Sequence, residues 1–77
     1  MELKVGTSLS VSVPASSITM ALQKARDCKT TEGFIWLKPT RSAGWTPVAK
    51  YSNGLVTCLN SDEPATVKTI IAVTAGV

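Results

Sequence analysis

The stretch GFIWLKPTRSAGWTP, residues 33–47, holds three of the chain's four aromatic side chains. Phe34, Trp36 and Trp45 are interleaved with Lys38 and Arg41. Segments 34–38 (FIWLK) and 45–51 (WTPVAKY) read as strands, and the Pro, Ser and Gly between them read as a hairpin loop. Neither strand has a polar face. The first carries Phe34, Trp36 and Lys38 on one side and Ile35 and Leu37 on the other. The second carries Trp45, Pro47, Ala49 and Tyr51 against Thr46, Val48 and Lys50.

Opposed residues of an antiparallel hairpin share a face, so loop length decides which groups meet. An even loop, 39–44 or 40–43, joins Trp36 with Trp45 and Phe34 with Tyr51, which gathers every aromatic on one side. Ile35, Leu37 and Val48 then form an aliphatic side. An odd loop divides the tryptophans. The even loop is preferred because it sorts the side chains by type. Pro47 has no N–H to give to a ladder, which places its strand at an edge or at a bulge.

C-terminal to this hairpin, Ser52-Asn53-Gly54 signals a tight turn, because Asn-Gly readily takes the positive φ angles of type I′. Segment 55–60 (LVTCLN) is the next expected strand and Ser61-Asp62-Glu63-Pro64 the next turn. Segment 65–75 (ATVKTIIAVTA) is rich in β-branched residues and reads as a long last strand. N-terminal to the hairpin, residues 2–13 alternate apolar and polar, the signature of a half-buried strand, with Gly6 a place for a bend. Pro14 is expected to end it. Ile18, Ala21, Leu22, Ala25 and Cys28 follow the stripe of an amphipathic helix over 15–29, with Ser16 and Ser17 as alternative caps.

The expected fold is α+β: a single helix packed on a four- to five-stranded, mainly antiparallel sheet, in the order β-α-β-β-β-β. It forms one compact domain over residues 1–77. The first and last strands are of a length to pair at the sheet's centre. Ile18 and Leu22 fit the aliphatic side of the hairpin. The reverse arrangement, with the aromatics under the helix, stays open.

One helix covers one sheet face, yet 44% of the 77 residues are hydrophobic and mean hydropathy is +0.20. A chain this short buries only about 60% of its unfolded surface, so apolar surplus is expected outside, where it marks an interface. Charged residues are 17%, low for a soluble domain, while Ser and Thr supply eighteen positions. This composition suits a protein that packs into an assembly.

Catalysis is not expected. With no histidine, Ser-His and Cys-His nucleophiles are excluded, and two cysteines make no zinc pattern. No glycine-rich phosphate loop occurs. Asp62 and Glu63 read as turn residues; Cys28 and Cys58 read as small buried thiols, one bridge between them remaining open. No cofactor, metal or small-molecule substrate is implied.

The expected function is that of a non-enzymatic assembly or interaction protein, of the virion structural or accessory kind. Its partner-binding residues are Phe34, Trp36, Lys38, Arg41, Trp45 and Tyr51, and they meet a second copy or another protein. One alternative is a small phage-type inhibitor that blocks a host protein complex. Another is a single-stranded nucleic-acid binder, in which rings stack on bases and Lys38, Arg41 and Lys50 follow phosphates. Net charge is +3, and the middle of the chain is its most basic part. The opening MELKVG has no basic leader and no long apolar run, so a cytoplasmic location in the producing cell is expected, with incorporation into a particle compatible.

Overall fold

The computed structural model describes residues 1–59 and 61–75. The alternating run 2–13 is not one strand. It folds into β1 (Glu2–Gly6) and β2 (Ser12–Ala15), antiparallel, with Leu3 opposite Ala15 and Gly6 opposite Ser12. Serine chemistry makes the break. The Val11 N–H donates to the Ser8 carbonyl and hydroxyl, and the Ser12 hydroxyl donates to the Leu9 carbonyl at 2.9 Å. Such local bonds compete with a continued ladder. Gly6 is required where the chain returns, since a Cβ there would strike the Val11 and Ser12 backbone. Pro14 does not end a strand; it lies within β2, an outermost strand, where a missing N–H is tolerated.

Helix α1 (Ile18–Asp27) is shorter than the expected 15–29, because Ala15 belongs to β2. Of the two possible caps Ser17 is used: its hydroxyl accepts from the Met20 N–H at 3.1 Å. Cys28 closes the helix through its N–H to the Ala25 carbonyl. Ala21, Leu22 and Ala25 are buried, and Ile18 and Cys28 pack at the rim of the core.

Three strands follow: β3 (Glu32–Lys38), β4 (Thr46–Ser52) and β5 (Leu55–Cys58). Asn53 and Gly54 have φ of 54° and 83°, as their tight turn demands. The strand expected over 55–60 ends at Cys58, and Asn60 lies outside the described residues.

The largest correction concerns 65–75, which is helix α2 (Val67–Ala75) rather than a strand. Thr66 and Thr69 form a reciprocal cap: the Thr66 N–H donates to Thr69 Oγ1 at 2.8 Å and the Thr69 N–H to Thr66 Oγ1 at 3.2 Å. This satisfies first-turn donors in the manner of a capping box. The sheet edge is also already taken. The Ala65 N–H donates to the Val56 carbonyl and the Cys58 N–H to the Glu63 carbonyl, so 63–65 runs along β5. Ile70 is then free to plug the core, at 1% exposure.

The sheet order is β2-β1-β3-β4-β5, with every neighbouring pair antiparallel. The element order is therefore β-β-α-β-β-β-α, with two helices rather than one. β3, not a pairing of first and last segments, is the centre. Both helices join one core cluster with Leu3, Val5, Ile35, Leu37, Ala49 and Val56, so both cover the same sheet face. Among the described residues no helix is long and apolar enough to cross a membrane.

The β3–β4 register decides the hairpin. Leu37 pairs with Thr46 and Trp36 with Pro47, enclosing the even loop 38–45. Ile35 then pairs with Ala49, leaving Val48 as an extra residue in a bulge beside Pro47. The even register therefore holds near the loop and is lost beyond it. Tyr51 falls opposite Gly33 and not on the side of Phe34, which faces Lys50. The expectation that all four aromatics share a face is corrected by this one inserted residue.

Adjacent isoleucines of α2 differ sharply: Ile70 is 1% exposed and Ile71 52%. In urea unfolding, Ile70→Ala is expected to cost about 2–5 kcal/mol, and Ile71→Ala to stay within about 0.5 kcal/mol. Equal costs would mean that α2 does not dock through Ile70.

Candidate interaction face

β3 supplies the middle of the uncovered face. Gly33, Ile35 and Leu37 are buried under the helices, so Phe34, Trp36 and Lys38 project to the opposite side. All three are half-buried among their neighbours. The Phe34 and Trp36 rings meet edge to face, with centroids 5.5 Å apart at 62°, a favoured aromatic geometry. The Trp36 indole Nε1–H donates to the Gly6 carbonyl at 3.4 Å, which tethers the ring toward β1.

Lysines flank these rings. Lys4 is the cross-strand partner of Trp36, and Lys50 that of Phe34. Trp45, just before β4, lies at the same corner as Lys4 and Lys38: their Nζ atoms stand 5.1 Å and 5.9 Å from its ring centroid. Each such cation–π contact contributes about 0.5–1 kcal/mol at an exposed site. It also fixes where positive charge sits. Arg41 is exposed in the loop between β3 and β4, in a turn where the Ala43 N–H donates to the Thr40 carbonyl. Two carboxylates share the face at its margins: Glu2 opposite Lys38, and Glu32 opposite Ser52.

Four of the six expected binding residues are thus placed on one surface, Phe34, Trp36, Lys38 and Trp45, while Arg41 is an exposed residue of the loop between β3 and β4. Tyr51 is not among them. It is buried against the helices, its phenol lying across Gly33, where a Cβ would strike the Tyr51 hydroxyl and the Gly6 carbonyl. Lys4 joins the face without having been singled out in sequence, because only the β1–β3 register sets it beside Trp36. Leu55, 65% exposed, and Thr57 extend the surface past Lys50 as one wall of a shallow groove against Phe34. A second groove is lined by Lys4, Pro14 and Trp45.

Both sheet edges are poor templates for strand addition. Residues 63–65 cover β5, and β2 is four residues long with Pro14 inside it. Among the described residues no three metal-ligating side chains converge. Comparisons with family models, curated proteins and solved structures return no match for this chain.

Burial, followed by the neighbouring Cys28 thiol, raises the Tyr51 phenol above its ordinary value of 10.0. A raised folded-state value favours the protonated, folded form, so its stabilisation is complete below pH 10 and is lost as pH rises further. The urea midpoint of the wild type is expected to fall more steeply above pH 10 than that of Tyr51→Phe. Parallel curves would remove Tyr51 as the cause.

Proposed function

We propose that this chain is a non-enzymatic interaction protein that docks a macromolecular partner through the open face of its sheet. One observation carries the reading. Both helices pack on the same side, which leaves Phe34, Trp36 and Trp45 on the other with no helix or strand of the described residues above them. Aromatic residues and Arg dominate the energetics of protein interfaces, and covering the exposed part of each half-buried ring removes further apolar area from water. Closed edges support face docking over strand pairing. The absence of histidine withholds the commonest general base, in keeping with a binding rather than a chemical role.

An assembly subunit and an inhibitor seated on a host complex both use such a face and differ only in its occupant. A second copy is the less fitting occupant, because a twofold contact would bring lysine-bearing surfaces together. Light scattering is therefore expected to show a monomer.

Site-specific photo-crosslinking in the producing cell tests the reading. A benzophenone side chain at Phe34 or Lys50 is expected to yield heavier adducts, and one at exposed Lys68 on α2 is not. Adducts from Lys68 alone, or none from Phe34 and Lys50, would overturn it. Adducts containing only a second copy would assign the face to self-association.

A further inference from the structure

We infer that the occupant of this face is single-stranded nucleic acid. The inference rests on the face-docking reading and adds the chemistry of the partner. Charge placement is the first argument. Lysine is depleted in the cores of protein–protein interfaces, yet Lys4, Lys38 and Lys50 directly adjoin the rings. Lys4 and Lys38 hold their ammonium groups over Trp45 and so concentrate positive charge at an aromatic corner. An apolar protein partner would have to desolvate those ammonium groups. A phosphate backbone neutralises them and releases counterions.

Geometry is the second argument. Phe34, Trp36 and Lys38 are alternate residues of one strand, so they form a row spanning roughly 13 Å at about 3.3 Å per residue. Lys4 flanks that row on β1 and Lys50 on β4, while Trp45 continues it at the loop end beside Lys38. Rings in the middle with cations on both sides is the arrangement that stacks bases and tracks a backbone without reading sequence. The grooves beside Phe34 and Trp45 are shallow and each carries a cation and a carboxylate, Lys50 with Glu32 in one and Lys4 with Glu2 in the other. A duplex offers its bases only edge-on, and this face has no helix or ribbon to enter a groove. Glu2 and Glu32 sit at the two ends of the row and bound its length.

The test is a titration of the full chain at low salt with a twelve-nucleotide oligo-dT, the matching duplex and polyglutamate, read by tryptophan emission and anisotropy. Oligo-dT is expected to quench the emission and bind at least tenfold more tightly than polyglutamate or duplex. Its log K should fall against log salt with a slope of about −2 to −3, for three or four phosphates contacted on a single strand. Lys50→Glu and Lys38→Glu are each expected to weaken binding about tenfold and flatten that slope. Phe34→Leu, which keeps an apolar side chain, should weaken binding at least about fivefold with the slope unchanged. Glu2→Gln should tighten it. Urea midpoints confirm that each variant is folded.

Equal binding of polyglutamate, indifference to Phe34→Leu in a folded variant, or no binding of oligo-dT would each overturn the inference. If oligo-dT fails while the Phe34 crosslinker still captures a protein, the nucleic-acid assignment falls and face docking stands. If both fail, both fall.

Discussion

The two faces of this protein depend on one inserted residue. Val48 is accommodated opposite the junction of Ile35 and Trp36, and every side chain of β4 beyond it is thereby turned over. Without the bulge, Tyr51 would join Phe34 outside and Lys50 would point into the helices. With it, the lysine reaches water and the phenol reaches the core. Pro47 shows why the insertion sits there. It cannot donate to a ladder, and β5 begins its pairing only at Ala49, so the Thr46–Val48 half of β4 has no strand on its outer side. Residues 47 and 48 meet the region of Ile70 and Val73 instead, where α2 closes the core.

The helix-covered side is completed by small residues. Gly33 has no side chain, so Tyr51 lies flat across it and reaches the Cys28 thiol at the end of α1. Gly54 lets the next turn approach the same helix end, near the Arg26 carbonyl and the Lys29 side chain. Ala21, Ala25 and Ala49 are fully buried and bring α1 close to the sheet. A close-packed interior of this kind sends the larger rings elsewhere. Phe34, Trp36 and Trp45 are outside because the inside is filled.

That exclusion gives the open face its chemistry. Rings alone would make an adhesive apolar patch. Lysines at Lys4, Lys38 and Lys50 interrupt it, raise its affinity for anions, and oppose the stacking of one copy on another. Lys4 and Lys38 hold their ammonium groups near the Trp45 ring, so charge and apolar contact occupy one surface.

Much of this was determined by the sequence itself, wherever the deciding contacts are local. The Asn53-Gly54 turn, the Ser17 cap and stripe of α1, the alternation of Phe34, Trp36 and Lys38, and the irregularity at Pro47 all follow from neighbours a few residues apart. So does the sharing of a face by Trp36 and Trp45, since the pairs nearest the loop enclose an even number of residues. Tertiary structure alone decided the rest. Residues 67–75 carry strand-forming side chains, but such preferences span only about 1 kcal/mol. They yield when the sheet edge is already paired and the core has room for Ile70. The alternation in 2–13 is broken by serine bonds and by a return of the chain that only Gly6 permits. Tyr51 is turned inward by a bulge whose position depends on where β5 starts. For Ile70 and Tyr51 the outcome is set by contacts between segments distant in sequence, which the local pattern does not encode.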